Sequence, residues 1–410
     1  MVYLEGGPGG KALELARLSF TPYYSPFLDD RDFIMFDQRG VGFSEPALDC
    51  PEYVEFSYDI LDKRLSVKEA ADGSVEAAEQ CRKRLLATGV DLRAYTSAES
   101  AADVNDIRVA LGYDEWNLYG ISYGTRLALT VMRDHPEGVR SVILDSVYPL
   151  EVNLYTSVLD NVARAFSTLF TACESDSACS ERYPSLEKTF YGLVDELDAE
   201  PQSVTIRHPI TREDYDVLIT GDRMLEFLFF SMYSTGLIPH LPQAVSDAAE
   251  GRLQTMAALH GNLLVYDLFS TGMHLSLQCG EELSFTSGDD IARAADAHPP
   301  LRGLLERDPT FDQCEVWESR RSAPVENQPV VSDIPTLVLA GEMDPITPPE
   351  WARVVAGNLS RSYAFEFPGV GHGASTSGGC PLSIALSFLN SPRSEPDSDC
   401  IGEMTGPRFR

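Results

Sequence analysis

The chain has 410 residues, 43% of them hydrophobic and 23% charged, and 32 Lys and Arg against 63 Asp and Glu leave a formal net charge of −31. There is enough apolar material for one large core with an elaborate insertion, or for two or three smaller cores. The charge argues against a nucleic-acid partner, which needs clustered cations, and against an anionic membrane surface. The longest apolar run, Met224 to Tyr233, contains Glu226 and is too short to cross a bilayer. No basic stretch followed by an apolar one opens the chain, so no signal peptide is visible.

The chain starts on the apolar triplet Val2-Tyr3-Leu4, read as the end of a buried strand, and runs into Gly6-Gly7-Pro8-Gly9-Gly10, a turn that needs unusual backbone angles. Phe33 to Phe36 reads as a second strand covered on both faces, ending in the loop Asp37-Gln38-Arg39-Gly40-Val41-Gly42. A helix is predicted from Thr96 to Leu111, with Thr96 and Glu99 as a capping box and Gly112 as its stop. Strand Trp116 to Ile121, a helix with Leu127, Ala128, Val131 and Met132 on one stripe, and strand Val139 to Leu144 then make a βαβ crossover, the unit of a parallel sheet. From about Leu150 to Val330 helical patterns predominate. Strand-like sequence returns at Thr336 to Ala340 and Tyr363 to Phe367, separated by a helix over Pro349 to Leu359, and a last helix is placed near Pro381. The expected fold class is α/β: a mostly parallel sheet covered by helices on both faces, with a mainly helical insertion. The expected division is 1–149 for the first part of the core, 150–330 for the insertion and 331–410 for the returning core.

Eight cysteines, without C-x-x-C pairs or Cys/His clusters at zinc spacing, argue against a metal site. No metal or other cofactor is expected. Cys173 with Cys179 and Cys380 with Cys400 read as local disulfides, with reduced buried thiols as the alternative. Disulfides require an oxidising compartment, and the expectation is therefore a chain that begins inside a longer natural precursor.

Gly120-Ile121-Ser122-Tyr123-Gly124 is a G-x-S-x-G sequence between a predicted strand and a predicted helix. A sharp strand-to-helix turn strains the serine backbone and lifts Oγ above the sheet edge, which makes Ser122 the candidate nucleophile. A serine needs a base, and an imidazole works best when a carboxylate fixes its tautomer. Asp344 follows one strand and His372 the next, in the order Ser, acid, His. Asp145, which also ends a strand, and more weakly Glu342, rival Asp344. Developing oxyanion charge needs donors, expected from the backbone N–H groups of Tyr123 and Gly7. Of the remaining histidines, His274 is the one to check, since it lies near the Cys279 segment.

Gly6 to Gly10, Asp37 to Ser44, Gly120 to Thr125, Gly341 to Pro348 and Gly371-His372-Gly373 together resemble the proline iminopeptidase and tripeptidyl aminopeptidase family of α/β-hydrolases, serine peptidases with a TAP-like C-terminal segment. The resemblance implies an α/β-hydrolase fold with a helical cap after strand Val139 to Leu144, exopeptidase chemistry at free N-termini, and export to the periplasm or medium. Family members have further strands before the glycine turn, so the first strands of the sheet are expected to be absent from this chain. Cys279-Gly280-Glu281-Glu282 resembles a Cys-x-acid-acid segment of the family, which makes Glu281 or Glu282 the expected partner of the substrate amine, held by a Cys279–Cys314 bridge. A Cys50–Cys81 bridge is expected as well. The implied activity is removal of N-terminal proline or short peptides through an acyl-enzyme, with a small peptide as substrate. The alternatives are a carboxylesterase acting on short acyl esters and a non-catalytic binding module on the same fold.

Overall fold

The computed structural model describes residues 1–260 and 266–410. Five strands, β1 (Val2–Leu4), β2 (Trp116–Ile121), β3 (Val139–Asp145), β6 (Thr336–Gly341) and β7 (Ser362–Phe367), form one sheet in the order β1-β2-β3-β6-β7. Every pairing is parallel, and one row runs across it: Leu4 beside Gly120, Gly120 beside Leu144, Leu144 beside Val338, Val338 beside Ala364. β1, β2 and β6 are buried along their whole length, which is why their sequences are near-continuous apolar runs rather than alternations. The two-residue period sorts the sheet onto two cores. Leu4, Leu118, Leu144 and Val338 pack into one, and Tyr3, Tyr119, Ile143 and Leu337 into the other.

The register brings the carboxyl ends of all five strands to one edge. Glu5 to Gly7, Ser122, Asp145-Ser146, Glu342 to Asp344 and the segment before His372 therefore emerge side by side, the place where open parallel sheets build their sites. Between β2 and β3 runs the helix Tyr123–Asp134, buried from Tyr123 to Met132 and not on one stripe alone, because it lies between the sheet and the helix Ser97–Ala110. Its first turn approaches the sheet so closely that a Cβ on Gly124 would collide with the Leu4 carbonyl oxygen.

Two expectations need correction. Phe33 to Phe36 does not form a strand: it is half-buried and joins the sheet edge only at Ile34, which bridges Val2, with Tyr3 N–H donating to Ile34 O at 2.9 Å and Ile34 N–H to Met1 O at 2.8 Å. Thr96 caps its helix by accepting from Glu99 N–H at 3.2 Å, but the reciprocal half of the capping box is replaced by an ion pair between Glu99 and Arg39 at 3.5 Å.

Between β3 and β6 the chain is largely helical, with long helices Leu154–Ser175 and Leu186–Ala199 and the helix Gly221–Ser231. These bury Phe166, Phe190 and Phe227 in a third core. An antiparallel hairpin, β4 (Gln202–Arg207) with β5 (Asp214–Ile219), has no counterpart in the sequence reading. The cysteines form four disulfides, Cys50–Cys81, Cys173–Cys179, Cys279–Cys314 and Cys380–Cys400. No helix among the described residues is long and apolar enough to cross a membrane.

Candidate active site

Ser122 sits between β2 and the helix Tyr123–Asp134 with φ 57° and ψ −126°, a strained elbow that a non-glycine residue adopts only when its surroundings force it. The elbow is held by Ser122 N–H donating to Asp145 O at 3.1 Å and by Thr125, whose hydroxyl donates to Ser122 O at 2.5 Å. Gly6 packs against Ser122, and a Cβ there would stand 3.6 Å from Oγ.

Two and three strands further on stand Asp344 and His372, with His372 Nδ1 2.8 Å from Asp344 Oδ2. Asp344 is fully buried, and its other oxygen accepts from the Ile346 and Thr347 N–H groups at 3.0 and 2.9 Å while the Thr347 hydroxyl donates to Oδ2 at 2.7 Å. Burial alone would raise this carboxyl, but the charge and hydrogen bond of His372 and the two bonds from Thr347 outweigh it, so Asp344 is held below the usual carboxylate range. Burial would likewise lower His372. Asp344 first, then Asp145 and Glu5, overcome that and raise it. With Nδ1–H committed to Asp344, Nε2 is the ring nitrogen left to accept a proton. Among the described residues Ser122 Oγ makes no hydrogen bond, while Ser122 and His372 both lie at the carboxyl edge of the sheet.

The rival acids serve the loops. Asp145 accepts from Ala374 N–H at 2.7 Å, from Ser375 N–H at 2.9 Å and from the Ser375 hydroxyl, while Ser146 Oγ takes Gly373 N–H at 2.8 Å. Burial pushes the Asp145 carboxyl up to about 6 despite those bonds. Glu342 accepts from Gly369 N–H at 2.7 Å. Neither carboxylate bonds the imidazole.

At the glycine turn, Gly6 N–H donates to Glu5 Oε1 at 2.8 Å, whereas Gly7, at φ +115°, has no hydrogen bond on its N–H among the described residues. Tyr123 is the first helical residue, so its N–H has no intrahelical acceptor. Its side chain points away, with the hydroxyl 2.8 Å from Ser97 Oγ. The His274 ring reaches the same turn, with Nδ1 3.3 Å from Pro8 O.

Glu281 and Glu282, the expected partners of the substrate amine, each already have partners within the protein. Both are buried in a π-helical turn, Gln278–Glu282. Glu281 accepts from the Ser97 N–H and hydroxyl, each at 2.6 Å, and stands 3.9 Å from Arg126. Glu282 pairs with Arg126 at 2.9 Å and caps Leu154 N–H at 3.0 Å. Arg126 also donates to Pro149 O and lies over the Tyr148 ring. A buried cation needs such partners, and these two acids are consumed by it.

Sequence reading missed Glu5, whose carboxyl burial raises, although it directly precedes the glycine turn and could have been flagged there. It also missed Tyr233, whose ring lies 4.7 Å from the His372 ring, and Arg164, which donates to the carbonyls of Glu342 and Asp344. Those two come from distant segments and carry no local signal.

The parallel sheet, the elbow and the acid and histidine loops on successive strand ends define an α/β-hydrolase. The family comparison agrees: residues 1–175 match the model described as alpha/beta hydrolase fold and residues 306–400 the one described as TAP-like protein. The chain has the α/β-hydrolase fold, and its C-terminal part is similar to the TAP-like model. Its relatives include serine protease Hip1 of Mycobacterium tuberculosis, 27% identical over 403 residues that cover 91% of this chain and 74% of that protein. The putative hydrolase YuaR of Escherichia coli is 25% identical, covering 99% and 80%. Tripeptidyl aminopeptidase of Streptomyces coelicolor is 36% identical over 157 residues, 36% of this chain and 28% of that one. The chain is therefore an enzyme of α/β-hydrolase fold with serine-peptidase relatives.

Proposed function

We propose that the chain is a serine aminopeptidase that releases N-terminal proline or short peptides through an acyl-enzyme. The observation that carries this reading is the buried Asp344 carboxylate bonded to His372 Nδ1 beside the strained Ser122 elbow. Ser122 Oγ attacks the scissile carbonyl carbon while His372 Nε2 takes its proton, and Asp344 stays ionised and stabilises the imidazolium. The N–H groups of Gly7 and Tyr123 receive the oxyanion. His372 then gives the proton to the leaving amine, and water, deprotonated by the same imidazole, releases the acyl group.

An aminopeptidase needs an anion for the substrate ammonium. With Glu281 and Glu282 engaged by Arg126, the supporting carboxylates are Glu5 at the turn and, between β3 and β6, half-buried Glu226. Glu226 has no hydrogen bond or ion pair among the described residues; burial raises its carboxyl, with Arg223 and Arg307 opposing that and Asp222 and Asp308 adding to it, and His274 also feels Asp308. The four disulfides support an oxidising location, the periplasm or the medium.

A carboxylesterase uses the same nucleophile, base and oxyanion donors without an amine anchor. Three substrates separate the readings: an unblocked prolyl or tripeptidyl anilide, its N-acetylated twin, and a short acyl nitrophenyl ester. Acetylation is expected to lower kcat/KM by about tenfold or more, the worth of about 1.4 kcal/mol. Equal turnover of both anilides, or turnover of the ester alone, overturns the aminopeptidase reading.

A further inference from the structure

The segment between β3 and β6 touches the main chain of both loops that carry the acid and the base. On the acid loop, the Arg164 guanidinium donates to the carbonyls of Glu342 and Asp344, and Asn161 Nδ2 donates to Ile346 O at 2.9 Å. On the histidine loop, His372 N–H donates to Tyr233 O at 3.0 Å and Gly371 N–H to the Thr235 hydroxyl at 3.0 Å. The fit is tight, because a Cβ on Gly371 would collide with the Met232 carbonyl oxygen. From the opposite side the end of β3 holds the next three N–H groups, Gly373 on Ser146 and Ala374 and Ser375 on Asp145. Five successive N–H groups are thus divided between the inserted segment and the sheet, and the division falls immediately after His372.

We propose that Arg164 and Thr235 are positioning residues for the hydrolytic reaction, supplied by the inserted segment to fix the acid and histidine loops, so that the triad is assembled by the insertion and the sheet together. The inference rests on Ser122, Asp344 and His372 acting as assigned above. Apolar packing does not explain these contacts. Desolvation works against a guanidinium, and it lowers Arg164, yet the group is placed against two carbonyl oxygens of the acid loop. Thr235 spends its hydroxyl on the N–H directly before the base. An alignment error of about 1 Å in a base can reduce turnover about a hundredfold, so loops held only from the sheet side would lose rate while substrate binding persisted.

The test uses the purified full chain and whichever anilide or ester it turns over. Arg164→Met is expected to lower kcat about tenfold or more with KM changed less than about twofold. Thr235→Val, which keeps shape and removes the hydroxyl, is expected to lower kcat about fivefold, and Thr235→Ser, which restores it, to match the wild type within about twofold. Circular dichroism and a cooperative melt establish that each variant is folded. Should Arg164→Met not fold, the Thr235 pair decides: equal kcat for Val and Ser overturns the proposal, as does wild-type kcat in folded Arg164→Met together with Thr235→Val. Ser122→Ala separates the two levels. If it retains hydrolysis, the triad reading falls and takes this inference with it; if it is inactive while the positioning variants are unimpaired, only the inference falls.

Discussion

Arg126→Met removes the cation that holds Glu281 and Glu282. The guanidinium and both carboxylates are about 3–5% exposed, with Arg126 at 2.9 Å from Glu282 and 3.9 Å from Glu281. At an effective dielectric of about 20 those separations correspond to gross attractions of about 6 and about 4 kcal/mol. Desolvation of the three ions offsets most of that, so the quantity to expect is the penalty for breaking a buried pair, about 3–5 kcal/mol. For a 410-residue chain the unfolding entropy is about 0.9 kcal/mol/K, so a loss of about 4 kcal/mol lowers Tm by about 5 °C. The sign with pH follows from the acids. Burial already raises both carboxyls, with Arg126 opposing it. Without Arg126 their folded pKa values rise further above the unfolded ones, so the variant loses more stability as pH increases above the ordinary carboxylate range. Calorimetry of Arg126→Met alone and in a Glu281→Gln/Glu282→Gln background measures the coupling, expected at about 2 kcal/mol or more. A loss equal in both backgrounds and independent of pH refutes the ion-pair argument. A Glu281→Gln variant of unchanged Tm whose KM for unblocked substrate rises tenfold would instead restore Glu281 as the amine partner.

Other consequences are simpler to measure. Ser122→Ala is expected to lower kcat about 10⁶-fold and Asp344→Asn about 10⁴-fold, the latter by releasing the imidazole tautomer, with steady-state kinetics as the check. Because His372 is raised and acts only when neutral, the acid limb of kcat/KM is expected above about pH 6.5. Activity should fall as pH drops through it, and a limb near pH 5 would contradict the carboxylate cluster around His372. Replacing Cys279 and Cys314 by Ser opens a loop of sequence separation 35 and is expected to lower stability by about 4 kcal/mol in a denaturant titration. Gly124→Ala drives a methyl into the Leu4 carbonyl and is expected to lower Tm and activity together, since it separates the elbow helix from the glycine turn.

The strand-end positions of Ser122, Asp344 and His372 were legible in the sequence because each follows a strand, and a strand end plus a turn is a local pattern. The glycine turn after β1, with Gly7 at positive φ, was legible for the same reason. The sequence by itself determined the alternation of strands and helices, the strand-to-helix elbow at Ser122 and the chain order of Ser122, Asp344 and His372. Tertiary structure decided the rest, because buried charge must find partners wherever the fold places them. Asp145 and Asp344 look equivalent as strand-end acids, and only the contacts show Asp344 on the imidazole and Asp145 on the N–H groups of 374 and 375. Glu281 and Glu282 look like surface acids or amine ligands until Arg126, about 155 positions away in the chain, is seen beside them. The bonds that join Arg164 and Thr235 to the loops of Asp344 and His372 span 178 and 136 positions, and no sequence period reports a contact of that range.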